Sequence, residues 1–170
     1  MDARSLLKEQ ITGAHRILNS ALGGLPQEMV TVQPPGTANS IGATLAHVVL
    51  DEDWLISQAM GEPLLYAANG FEQKIGLAAP TGPFVTEEWA RGVKLELAPF
   101  MEYALAVFAR TESAVADFSA ESMDRDVDMG TSRPMKGLLA VGVIALNHVS
   151  FHAGEIAALK GTMNLKGIPF

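Results

Sequence analysis

The sequence predicts an all-α fold, a four-helix bundle with a long crossover connection between the second and third helices. Apolar residues recur at three- and four-residue spacing in four stretches, and segments rich in glycine and proline separate those stretches. Length is the third observation. A chain of 170 residues, 48% hydrophobic and 18% charged, can bury one substantial core but is short for two, so residues 1–170 are expected to form one domain.

The first helix carries Leu7, Ile11, Ala14, Leu18, Ala21 and Leu22 on one stripe, starts near a capping Asp2 and stops at Gly23-Gly24. The following LPQEMVTVQPPGTANS holds three prolines and is expected to be loop, with Ser40 as the cap of the next helix. That second helix spans Ile41 to Met60, with Ile41, Leu45, Val48 and Leu55 inward and Gly61 as terminator. Residues 61–85 form the irregular crossover, long for a bundle loop, and they could roof a site. Thr86 with Glu87 and Glu88 opens the third helix, which runs to about Phe118, either kinked or divided at Pro99. After the polar segment SAESMDRDVDMGTSR, Pro134 is placed to open the fourth helix, roughly 135–161, ending at Gly161.

Composition removes several functions. The net charge is −7 and no basic cluster is present, which argues against nucleic-acid binding. Without cysteine the chain has no disulfide, no thiolate ligand and no cysteine nucleophile. The N-terminus MDARSLLKEQ is amphipathic and unlike a signal peptide, and the apolar run GLLAVGVIAL is short for a membrane span, so a cytoplasmic location without membrane attachment is expected. There is no H-E-x-x-H, P-loop, G-x-S-x-G or Glu-x-x-His motif.

Histidine and carboxylate must therefore carry any metal. In NHVSFHAGEIAALKG, His148 and His152 stand four residues apart and share a helix face with Val141, Ala145, Ile156 and Leu159. Such a pair is either packed core or part of a metal site, since two imidazoles one turn apart can both reach an ion at roughly 2.0–2.1 Å. His47, on the apolar second helix, is the candidate third ligand; three histidines with an open position describe a catalytic metal site. Glu155 could be a fourth ligand, an acceptor behind His152 or a proton carrier, and Asp51, one turn after His47, could act similarly; for both a solvated role is the plain alternative. His15, at the edge of the first helix's stripe, is expected to be structural, Trp54 and Trp89 to pack the core or cap a cleft, and Ala153 and Gly154 to permit close packing, the alternative being that they leave room above a metal.

The runs NSIGATLAHVVLDEDW, SAESMDRDVD and NHVSFHAGEIAALKG followed by NLKGIP resemble the DinB-like superfamily of bacterial four-helix proteins over nearly the whole chain. The most specific element is H-x-x-x-H-x-G-[QE]-I in the fourth helix. The resemblance implies a divalent ion, zinc or nickel, held by one histidine of the second helix and two of the fourth, which map onto His47, His148 and His152. It also implies a homodimer acting on a small-molecule substrate, in the manner of S-transferases and isomerases that use a low-molecular-weight thiol such as bacillithiol or mycothiol. Because the chain has no cysteine, the thiol would come from a cosubstrate. The alternatives are a metal-hydroxide-dependent hydrolase and a non-catalytic metal- or ligand-binding dimer.

Overall fold

The computed structural model describes residues 2–78 and 85–168. It is all-α apart from one pairing of two-residue strands. Helix α1 spans Ala3–Leu22, and the Asp2 side chain accepts from the Ser5 N–H at 2.9 Å, which satisfies one of the free amides of the first turn. Its C-terminus is closed from outside the helix: the buried Lys160 ammonium donates to the Ala21 carbonyl at 2.7 Å and the Gly23 carbonyl at 2.6 Å.

The proline-rich connection is not wholly irregular. One helical turn, α2 (Gln27–Val30), fits between Pro26 and Pro34, because a proline just ahead of a helix costs no internal hydrogen bond. Gln27 then clamps a distant segment, donating to the Leu95 carbonyl and accepting from the Leu97 N–H. Helix α3 (Ile41–Met60) begins at Ser40, whose hydroxyl accepts from the Ala43 N–H, and ends at Gly61 in the left-handed conformation, as the sequence predicts.

Residues 61–78 carry two short helices, α4 (Leu65–Ala68) and α5 (Phe71–Ile75), where the sequence suggests irregular chain; residues 79–84 of that crossover lie outside the described residues. The segment is held by Asp53, a fully buried carboxylate on α3 that accepts from the Leu65 and Tyr66 N–H groups, the Tyr103 hydroxyl and Arg110. The expected third helix is two pieces, α6 (Glu87–Gly92), capped by Thr86, and α7 (Leu97–Asp117). Pro99 lies in the first turn of α7, where its missing N–H has no helical acceptor to lose.

Pro134 does not open the last helix. After α8 (Ala120–Asp124), strands β1 (Asp126–Val127) and β2 (Met135–Lys136) pair antiparallel, and the helix starts only at Gly137, whose N–H donates to the Arg125 carbonyl at 2.8 Å. That last helix is continuous from Gly137 to Thr162 but has three parts: α9 (Gly137–Val141), a π-helical segment Gly142–His148, and α10 (Val149–Thr162). Its left-handed terminator is Asn164 and not Gly161, which stays inside the last turn. By length and composition it could cross a membrane, with a mean hydropathy of 1.4. In the fold it packs on α1 and α3 and turns Val141, Ala145, Val149, Ala153 and Ile156 inward, with 33% of its most apolar stretch buried.

Among the described residues the four long helices pack as a ring, α1 against the last helix and α7, and α3 against the same two. The core around Leu18, Leu45, Phe100, Tyr103, Val149 and Ile156 lies next to a second cluster around Ile11, Leu55, Val115 and Val141. The predicted inward residues of α1 from Ile11 onward, and all four of α3, are buried.

The π-helical segment alters the fourth helix's inward face. The Val149 N–H reaches back five residues to the Ile144 carbonyl, a wider turn than the α-helical one. An uninterrupted α-helix would carry the buried series Val141, Ala145 on to His148 and His152. The buried residues are instead Val149, Ala153 and Ile156, and the two histidines stand half-buried at the rim of the core.

Candidate metal centre

The Ser40 cap fixes the start of α3, and three-, four- and seven-residue spacings then put Thr44, His47 and Asp51 on one side of that helix. Across from them the last helix presents His148, His152 and Glu155. The three imidazoles meet edge to face, with interplanar angles of 85° to 89° and ring centroids 4.5 to 5.2 Å apart. The His148 Nε2 lies at the middle of the group, 2.9 Å from the His47 Nε2 and 3.1 Å from the His152 Nε2. The sequence proposes these three as ligands and the fold brings them together from helices a hundred residues apart.

Protonation decides what such a group can hold. The His152 Nδ1 is 2.6 Å from the Glu155 Oε2, and an ionised carboxylate only accepts, so Nδ1 carries a proton and, in the neutral ring, the Nε2 offers a lone pair. Glu155 is held below its ordinary value first by that hydrogen bond, against burial, and then by the charges of His152 and His47. The His148 ring is pushed down to about 4, first by burial and then by His47 and His152, which outweigh Asp51 and Glu155. It is therefore neutral at ordinary pH. A neutral His148 has one ring proton at most and cannot satisfy both of its Nε2 neighbours. One divalent cation satisfies all three lone pairs, and tetrahedral coordination at 2.0–2.1 Å spaces nitrogens by about 3.3 Å, close to the separations here. The cluster is compatible with metal binding.

Support behind the imidazoles is uneven. Glu155 makes a short, aligned bond to His152, whereas Asp51 stands 3.4 Å from the His47 Nδ1, within ion-pair reach but without hydrogen-bond alignment. The Nδ1 atoms of His47 and His148 are buried without hydrogen-bond partners. All four side chains of the two carboxylate–histidine pairs keep some exposure, from 22% for His47 to 37% for Glu155, so the site opens to solvent. Thr44, 2% exposed and without a hydrogen-bond partner, is a neighbour that the sequence motifs do not single out. Its position three residues before His47 on the same helix is the signal that finds it.

The remaining candidates fall elsewhere. His15 is structural, as expected, but deep inside rather than at the edge: 3% exposed, it pairs its Nδ1 with Glu112 at 2.8 Å and its Nε2 with Glu52 at 3.1 Å. Trp54 packs on the second cluster, and Trp89 packs on the first while donating to the Ala78 carbonyl. Ala153 is buried, but Gly154 is exposed, with no atom within 4 Å of where a methyl group would stand, so close packing does not explain it.

The sequence profile of the DinB superfamily matches residues 10–156. The chain belongs to the DinB superfamily. This DinB-superfamily chain also shares its fold with a solved structure described as a conserved protein from Enterococcus faecalis: TM-score 0.80 at 20% identity, covering 94% of this chain and 96% of that one. At that identity the likeness concerns the fold alone. No curated protein matches the chain.

Proposed function

We propose that this DinB-superfamily chain is a divalent-metal-dependent enzyme, using zinc or nickel, that transfers a low-molecular-weight thiol to a small electrophilic substrate. The observation that carries the metal is the convergence of the His47, His148 and His152 side-chain nitrogens from two helices. A divalent ion held by three neutral imidazoles retains its positive charge and makes a bound thiol or water more acidic. The family resemblance and the absence of cysteine together favour an external thiol. A cytoplasmic homodimer is part of the same proposal.

The chain's own groups divide the work. Glu155 fixes the His152 ring and its tautomer, and its lowered pKa makes it a poor proton acceptor. Asp51, without an aligned hydrogen bond to its histidine, is the freer carboxylate and is assigned the proton released as the thiol is engaged. Imidazole suits zinc and nickel alike, so the donor set does not select between them.

Metal analysis of untagged protein should find about one divalent ion per chain, lost in a His148→Ala/His152→Ala variant. Undiminished metal in that variant refutes the site. Consumption of monochlorobimane only when a thiol is added supports transfer; thiol-independent ester or amide cleavage would replace it with hydrolysis.

A further inference from the structure

The charges around the triad bear on which thiol it takes. Asp51 stands behind His47 and Glu155 behind His152, each carboxylate one imidazole ring away from the converging nitrogens. Among the described residues, Asp51 and Glu155 make their ion pairs with His47 and His152. Among the described residues, no lysine or arginine pairs with either carboxylate. Several cations of the chain are engaged elsewhere: Lys74 with Glu102, Arg110 with Asp53 and Glu62, Arg125 with Glu121, and Lys160 with the end of α1.

Charge balance then discriminates between ligands. Two carboxylates offset a divalent ion, so the loaded site is near neutrality and a thiolate takes it to one net negative charge. A second anionic group on the same ligand adds repulsion in a half-buried, weakly screened place, whereas an ammonium relieves it. Sites that select a carboxylate or phosphate usually present a guanidinium or ammonium to it. Among the described residues, the charged groups paired with the triad are the two acids.

We propose that the site prefers thiols whose non-reacting end carries an amine over thiols that end in a carboxylate. The inference rests on the thiol-transferase proposal and narrows its cosubstrate to aminothiols.

The test uses cobalt(II)-loaded full-length protein, titrated with cysteamine, 2-mercaptoethanol and 3-mercaptopropionate, with binding read from sulfur-to-cobalt charge-transfer absorbance. Dissociation constants are referred to the thiolate concentration, because the three thiols differ in acidity. Cysteamine should bind about tenfold or more tightly than 3-mercaptopropionate, with 2-mercaptoethanol between, and the ratio should fall as salt is raised. Asp51→Asn and Glu155→Gln should each shrink the ratio severalfold, with cobalt retention checked by its own d–d absorption. Equal or tighter binding of 3-mercaptopropionate overturns the aminothiol preference and leaves the thiol reading intact. A ratio unchanged in both cobalt-retaining variants also overturns it, since the preference would then come from other groups. Cobalt binding with no charge-transfer band from any thiol removes the thiol reading, and this inference with it.

Discussion

His15 provides the strongest test of how the bundle is held together. Its ring is 3% exposed, stacked on Phe108 at 4.1 Å, and bonded to Glu112 of α7 on one nitrogen and to the fully buried Glu52 of α3 on the other. Burial alone would lower its pKa; the hydrogen bonds and charges of Glu52 and Glu112 together outweigh burial and raise it above 6.5. Both nitrogens then donate, and one imidazolium joins three helices. His15→Leu leaves Glu52 buried with no partner, a loss of about 3–5 kcal/mol. For a chain of this length that is a fall of roughly 6–20 °C in melting temperature. The double variant His15→Leu/Glu52→Leu removes both charges and should recover most of the loss, because the desolvation cost disappears with them. Because the folded pKa is raised, the stabilisation is complete below about 6.5 and is lost as pH rises through the folded value. Thermal and urea unfolding from pH 5.5 to 9 measure both effects. A loss below about 1 kcal/mol in the single variant, or a double variant no more stable than the single, would refute the ion-bridge account.

Three further outcomes follow from the packing. Asp53→Asn cannot accept all four donors now converging on the carboxylate, and should cost about 2–4 kcal/mol and speed proteolysis near residues 62–66; unchanged cleavage there would mean that the crossover is anchored by something else. Lys160→Met removes the ammonium from the Ala21 and Gly23 carbonyls, for an expected loss of about 1–2 kcal/mol in urea unfolding, kept small because the buried lysine's desolvation is also relieved. Gly137→Ala would place a methyl carbon 2.4 Å from the Ser122 carbonyl oxygen and should destabilise by about 1–3 kcal/mol, whereas Gly154→Ala, in open helix, should gain up to about 1 kcal/mol; the reverse order in thermal melts would contradict the packing described.

The sequence alone determined what local chemistry can set. Asp2, Ser40 and Thr86 cap the helices they were expected to cap, and Gly61 ends α3, because an N-terminal side chain or a left-handed glycine acts within one turn of its own position. The three histidines were also legible, since their residue type, helical spacing and apolar surroundings restrict their chemistry. Where short elements owe their existence to distant partners, the pattern was silent. The α4 turn is held by Asp53 from α3, and the two-residue strands displaced the expected start of the fourth helix from Pro134 to Gly137.

Only the tertiary structure decided where the histidines stand. An unbroken period of 3.6 residues sends His148 and His152 inward with Val141 and Ala145; the π-helical turn shifts the buried series to Val149 and Ala153 and leaves the imidazoles at a solvent-facing rim. Periodicity assumes one constant turn, whereas this helix changes its turn between α9, packed on one core cluster, and α10, packed on the other. The partners of His15 and Asp53 are likewise separated from them by 37 to 97 and 12 to 57 positions, contacts that no local pattern encodes and that folding alone brings within hydrogen-bond reach.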